Sequence, residues 1–419
     1  MKKNTFKILI FLLFGFSAFA QPAWRELEGI PVTWRYEDIH FLTPNLGWAA
    51  DGVGSSVYKT TDGGLHWTQQ TVPPDLYYRN IEFLNENVGF LGSLSPNFYK
   101  TNNGGTNWEL VVGLPPEVQA ICGLDAVGDH TIYGCGAWFG PAYVIKSNDS
   151  GETWQYIDMS AYAESLVEVL FVDENTGFAS GGDFDGGIIL KTIDGGTTWS
   201  KIYQSDVYGE FVWKLQRLFS NPQIMFGSVE SIAPLNGKLL KSADGGVSWV
   251  SKEVPDTDIQ AVGFITENHG WMGGHNSGFL ETFDAGTTWN DTGFGMGLNR
   301  MQIFDSNLVY CSGEVVYKYS DETLSTVQVG GHKAKNLKVK IAPNPVKDNL
   351  NFSVEFQKAD HLVISIIDSQ GKVLKKLKSE TISAAGKRNY SFPFPYKTGT
   401  YYLSLHYDLG AQAERIIKK

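Results

Sequence analysis

The chain has 419 residues, a formal net charge of −11 and three cysteines. Its charge is split: residues 21–330 hold 15 Lys+Arg against 38 Asp+Glu, and residues 331–419 hold 16 against 7. So acidic a first part argues against nucleic acid as a partner, whose phosphates need an extended basic surface, and the change of sign marks two domains.

In chain order, Lys2, Lys3 and Lys7 precede an apolar run over residues 8–16 and the small-residue end Ala18-Phe19-Ala20. That pattern predicts a secretory signal over residues 1–20. No later stretch offers ~20 consecutive apolar residues, so no transmembrane segment is expected.

A nine-residue stretch then recurs six times, as in Lys191-Thr-Ile-Asp-Gly-Gly-Thr-Thr-Trp199. Its turn residues are Asp62, Asn103, Asp149, Asp194, Asp244 and Asp284, and its closing residues are Trp67, Trp108, Trp154, Trp199, Trp249 and Trp289. An Asx side chain accepts backbone N–H bonds that a tight turn leaves unpaired, and glycine supplies the positive φ. Each Trp opens the next strand and is expected to bury its ring while its N–H finds a partner. The opening Lys residues fall nearer the rim, where solvation is expected.

Upstream of the boxes lie hairpins such as Ile81-Glu-Phe-Leu-Asn-Glu-Asn-Val-Gly-Phe90. A unit is therefore strand A, turn, strand B, loop, strand C, box, strand D. The opening positions 59, 100, 146, 191, 241 and 281 step by 41, 46, 45, 50 and 40 residues, the period of a β-propeller blade. Residues 303–319 give strands A to C of one more unit without a box, while Trp24-Arg-Glu-Leu-Glu28 reads as a strand D lacking its own A to C. The expected fold is all-β: a seven-bladed propeller over residues 21–325, closed by the N-terminal strand, which removes two open sheet edges.

The pattern Ser/Thr-x-Asp-x-Gly-x-Thr-Trp resembles the Asp-box, or bacterial neuraminidase repeat, of sialidases, xyloglucan-cleaving glycosidases and sortilin. The even seven-fold arrangement looks most like the photosystem II assembly/stability factor family. The resemblance implies the fold, and implies that the boxes are structural turns on the face away from a ligand.

Cys122 and Cys135 fall on strands A and B of one unit, symmetric about a turn, and are either a disulfide or two buried thiols; Cys311 is left over. No zinc-like spacing occurs among the Cys and His residues, and neither a metal nor another cofactor is expected.

In a propeller, ligands sit over the central opening, on the face of the D-to-A and B-to-C loops. Of five Arg in residues 21–330, Arg35, Arg79, Arg217 and Arg300 are predicted at the start of strand A. Convergent guanidinium groups grip carboxylates or phosphates; alternatively each pairs with acidic neighbours such as Glu37 or Glu82. Trp138 and the pair Asp183 and Asp185 are further candidate contacts, the latter able to offer oxygen ligands to Ca²⁺ or to form a polar loop. A sialidase resemblance would require a Tyr nucleophile with a Glu partner; Tyr77, Tyr78 and Glu230 are of the right type, but the accompanying Phe/Tyr-Arg-Ile-Pro segment is missing. The reading that follows is a non-catalytic binding module for a protein or glycan, with a sialidase-like glycosidase as the alternative.

A polar linker over residues 326–337 precedes a basic domain, residues 338–419, whose short alternating strands predict a small Ig-like β-sandwich. Pro343-Asn344-Pro345, Gly371-Lys372, Gly399-Thr-Tyr-Tyr402 and the basic terminus resemble the C-terminal sorting domain of the type IX (Por) secretion system. That resemblance implies a Bacteroidetes-type protein, a partnership with the outer-membrane secretion machinery, and release or anchoring at the cell surface.

Overall fold

The computed structural model describes residues 22–136, 138–320, 338–356, 360–368, 373–407 and 410–419. The expected signal (1–20), the expected linker (326–337) and the Gly371-Lys372 pair lie outside the described residues. Among those described there is no helix. The chain divides into two compact units, one of them Pro22–Ser320.

Seven four-stranded antiparallel sheets make up that unit. Their first strands are Tyr36–Phe41, Tyr78–Phe83, Gly123–Val127, Ser165–Phe171, Phe211–Arg217, Ile259–Phe264 and Met301–Asp305. Each first strand packs on the first strand of the next sheet, and the seventh returns to the first, so the strands enclose a central channel. The last sheet takes its outer strand from the N-terminus: Ala23–Glu26 pairs with Val316–Ser320, Trp24 standing opposite Tyr319.

The repeated sequence explains the packing between sheets. A large aromatic on strand B, such as Trp48, Tyr133, Phe226 or Tyr310, is fully buried. It stacks on the strand-A phenylalanine of the next sheet: Trp48 on Phe83 at 3.6 Å, Tyr133 on Phe171 at 3.5 Å, Phe226 on Phe264 at 3.9 Å, and Tyr310 on Phe41 at 3.8 Å across the closure. Each such burial contributes about 1.5–3 kcal/mol. Where a glycine precedes the strand-B aromatic, as before Trp48, Phe90, Phe178 and Trp271, it has its own reason. Gly47, Gly89, Gly177 and Gly270 pair across the hairpin with Phe41, Phe83, Phe171 and Phe264. A Cβ at any of them would lie 2.4 Å from the phenylalanine ring.

The six boxes share one hydrogen-bond pattern. In the fourth, Thr192 Oγ1 donates to Asp194 Oδ1 at 2.8 Å and accepts from Gly196 N at 2.9 Å, while Asp194 Oδ1 accepts from Thr198 N at 2.8 Å. Asn103 fills the same role with an amide oxygen. The indole N–H groups only partly meet expectation. Trp67 and Trp199 donate to Gly64 O and Gly196 O, whereas those of Trp108, Trp154, Trp249 and Trp289 have no partner among the described residues.

The box-opening lysines are not the solvated rim expected. Each stands across the hairpin from the strand-B aromatic, and the ammonium of Lys59, Lys146, Lys191, Lys241 and Lys318 lies over that ring, as Lys59 does over Trp48 at 5.0 Å and Lys146 over Tyr133 at 5.1 Å. Lys59, Lys146 and Lys191 then donate to the box carbonyls of Gly104, Gly195 and Gly245 in the following sheet. Lys100 and Lys318 are buried.

The second unit has a three-stranded sheet (Lys338–Ile341, Asn349–Phe356, Gly386–Pro393) and a four-stranded one (Val373–Ile382, Asp360–Asp368, Gly399–Tyr407, Gly410–Lys418). They share an apolar core that includes Val346, Leu350, Phe352, Ile364, Leu403 and Ile416.

Candidate functional site

Antiparallel order puts every D-to-A and B-to-C loop at one end of the channel and every box at the other. In five sheets strand A carries a bulge near its loop end, and the residues there are Glu37, Arg79, Val167, Trp213 and Gln260. A bulge re-aims side chains, and these meet in the channel. Arg79 lies over the Trp213 ring at 5.4 Å although the two belong to the second and fifth sheets.

Glu37 organises the loop end. Its carboxylate accepts from Arg35 Nε at 2.6 Å and Nη2 at 2.8 Å, from Arg79 Nη1 at 2.7 Å and from Asn299 Nδ2 at 2.8 Å. The Tyr77 hydroxyl also donates to it. Burial pushes the Glu37 carboxyl up, but Arg79 and Arg35 outweigh it and hold it below the usual range. Burial, followed by Glu37, pushes the Tyr77 phenol up to about 12. Arg35 spends its remaining nitrogen on Gln260 at 3.1 Å and His275 at 2.8 Å.

One layer deeper, Arg300 crosses the channel. Its Nε donates to Asp38 at 2.8 Å, and its two terminal nitrogens reach Glu168, of the fourth sheet, at 2.6 and 3.1 Å. Lys214 Nζ reaches the same carboxylate at 2.9 Å. Burial lowers the Lys214 ammonium, opposed by Glu168. Deeper still, His40 faces Glu82 at 2.9 Å, and burial, reinforced by Glu82, raises Asp125 well above its usual value.

The predicted arginine cluster is therefore brought together in part. Arg35, Arg79 and Arg300 converge, each already held by a carboxylate. Arg217 does not join them: strand A of the fifth sheet begins at Phe211, so Arg217 is its last residue, exposed at the box end, and Lys214 takes the inner position. The loop end keeps two unused donors, since Arg79 Nη2 and Trp213 Nε1 have no partner among the described residues although both side chains are buried. Glu230 receives Gln260 at 2.7 Å, and burial raises its carboxyl.

Asp183 is occupied: Lys201 and Gln204 donate to it, as do the backbone N–H groups of Asp185 and Gly186. It caps a tight turn. Trp138 is exposed with its edge to Phe139. Cys122, Cys135 and Cys311 are buried free thiols. The disulfide alternative fails on register, because Gly123, and not Cys122, stands opposite Cys135. The acidic partners Asp38 and Glu168, and Lys214, were missed in the sequence; their signal is their shared place two or three residues into strand A.

With the geometry in place, the class of protein is clear: a β-propeller carrying a type IX secretion sorting tail. Residues 340–419 match the family model of the secretion system C-terminal sorting domain. The photosystem II assembly lipoprotein Ycf48 of Synechococcus sp. (strain CC9902) is 23% identical over 269 residues, 60% of this chain and 73% of that protein. A solved structure of YCF48 bound to a D1 peptide superposes with a TM-score of 0.55 at 19% identity, covering 72% of this chain and 98% of that one. PorZ, a surface component of the type IX secretion system of Porphyromonas gingivalis, gives 0.52 at 12% identity, covering 93% of this chain and 60% of that one. No helix among the described residues is long and apolar enough to cross a membrane.

Proposed function

We propose that this chain is an exported, non-catalytic binding platform. Its seven sheets are the blades of one closed propeller over residues 21–325, which presents its loop face to a protein or glycan. The C-terminal unit, read as an Ig-like sandwich, engages the outer-membrane secretion machinery and directs the propeller to the cell surface or the medium. The observation that carries the reading is the saturation of Glu37 by Arg35, Arg79 and Asn299. Arginines committed to a buried carboxylate hold a scaffold rigid; they are not free to bind and release a charged substrate. The named relatives are an assembly factor and a peptide-bound propeller, which supports a protein ligand.

One observation favours the glycosidase alternative: Tyr77 is hydrogen-bonded to Glu37, the residue pair a sialidase-type nucleophile uses. Against it, a glutamate held as an anion by two arginines is a weak base, and the phenol is pushed the wrong way for a nucleophile. Fluorogenic sialosides and a panel of plant and host glycans decide the matter. The expectation is no turnover by the purified protein; turnover that disappears in Tyr77→Phe contradicts it.

A further inference from the structure

Apolar side chains are gathered on the loop face. Trp34, Leu76, Phe184 and Tyr208 are 73%, 81%, 73% and 75% exposed and come from different loops around the channel mouth. Trp138, Phe139, Ile232 and Leu235 extend the set. Isolated exposed apolar residues need no explanation, but five aromatic rings, Trp34, Trp138, Phe139, Phe184 and Tyr208, gathered on the loops of one face mark an interaction site. The box end is different. Its exposed large apolar residues are Leu65, Ile193, Phe219, Val247 and Phe283, and its box carboxylates are consumed by turn hydrogen bonds.

Charge on the same loops is one-sided. Glu28, Glu117, Glu164, Asp185 and Asp206 are exposed on them. The D-to-A and B-to-C connections contain only two basic residues, Arg35 and Arg300, and both are committed to Glu37, Asp38 and Glu168. The face thus combines aromatic rings with unopposed negative charge. The complement is a segment that brings cations and apolar groups together, because lysine and arginine lay apolar stems on rings and carry charge to carboxylates. A neutral sugar uses the rings and leaves the carboxylates unanswered; an acidic chain is repelled.

We infer that the loop face docks a basic polypeptide segment of another protein, one in which lysine or arginine alternates with large apolar residues. The inference rests on the platform reading above and names its ligand class. It is tested on the full mature chain with three fluorescein-labelled peptides of equal length: lysine alternating with leucine and tryptophan, glutamate in place of the lysine, and lysine alternating with serine. The first is expected to bind at least about tenfold more tightly than either of the others, and to weaken as salt rises. Trp34→Ser and Phe184→Ser, both exposed and so without consequence for folding, are each expected to weaken it at least about fivefold. Asp185→Lys with Asp206→Lys should transfer preference to the glutamate peptide, while Phe283→Ser at the box end should change nothing.

Equal binding of the lysine–serine peptide, indifference to Trp34→Ser and Phe184→Ser, or tighter binding of the glutamate peptide overturns the inference. Binding of a neutral glycan alone, weakened by Phe184→Ser, also overturns it while leaving the platform standing. Failure of every peptide and every glycan to bind removes both.

Discussion

Glu37 Oε2 lies 2.7 Å from Arg79 Nη1, with the carboxylate fully buried and the guanidinium nearly so. This contact ties the first sheet to the second, and Arg35 and Asn299 draw the sixth and seventh sheets to the same carboxylate through Gln260 and Glu37 itself. Removing the anion would leave two buried guanidinium groups unpaired. Glu37→Gln is therefore expected to cost about 3–5 kcal/mol, seen as a lower urea midpoint with an unchanged slope. A midpoint within error of the parent would show that the cluster does not hold the sheets together.

The boxes predict a pH dependence. Side-chain and backbone donors from Thr198 hold Asp194 at about 2, and those of Thr288, backbone first, hold Asp284 at about 2, against 3.8 for an unperturbed aspartate. Both folded-state values are depressed, so the stability these carboxylates contribute is complete above about 3.8 and is lost as pH falls through about 2. Asn103 shows that an amide fits the turn. Asp194→Asn with Asp284→Asn should thus fold, melt lower at pH 7, and show a shallower fall in melting temperature between about pH 4 and pH 2 than the parent. A parallel fall in the two proteins counts against the assignment.

Ala285 adopts φ 56°, at the box position that Gly63, Gly104, Gly195 and Gly245 occupy elsewhere with φ near 70°. A Cβ is strained there, and Ala285→Gly should raise stability by about 0.5–1 kcal/mol after the cost of a more flexible unfolded chain. A lower melting temperature would contradict this.

The ring closure rests on Trp24, which stacks on Phe279 with centroids 4.0 Å apart and meets Trp271 edge-on at 5.3 Å. It does for the boxless sheet what the box Trp does for the others. Trp24→Ala is expected to cost about 2–3 kcal/mol for a partly buried indole. Deleting residues 21–29 should expose the edge of strand Val316–Ser320 and bring aggregation on heating. An unaffected melting curve for the deletion would refute the closure.

Much of this fold was legible because it is written in local chemistry. The boxes announce themselves by Asx and Gly at fixed spacing, the hairpins by Asn-x-Gly before an aromatic, and the closure by an outer strand that had lost its own unit. The candidate site was less legible. The sequence pattern places the start of strand A in the fifth sheet at Arg217, whereas that strand runs Phe211–Arg217, so Lys214 and not Arg217 takes the inner position. The bulges, which displace side chains by one position, are likewise not revealed by any periodicity. Arg300 and Glu168 are 132 residues apart and meet only because the ring brings the seventh sheet opposite the fourth. The rim lysines were misjudged for a similar reason: the aromatic under each Lys and the carbonyl ahead of it belong to the neighbouring strand and the next sheet.

The central claim is that the C-terminal unit delivers this propeller to the outside of the cell. In a host with type IX secretion, the full-length chain and a chain ending at Ser320 are expressed, and intact cells are treated with protease before fractionation. The account predicts that the full-length propeller is found in the medium or digested at the surface, while the truncated chain stays in the periplasm, protected and folded. A truncated chain that appears outside in the same proportion as the full-length one would contradict it.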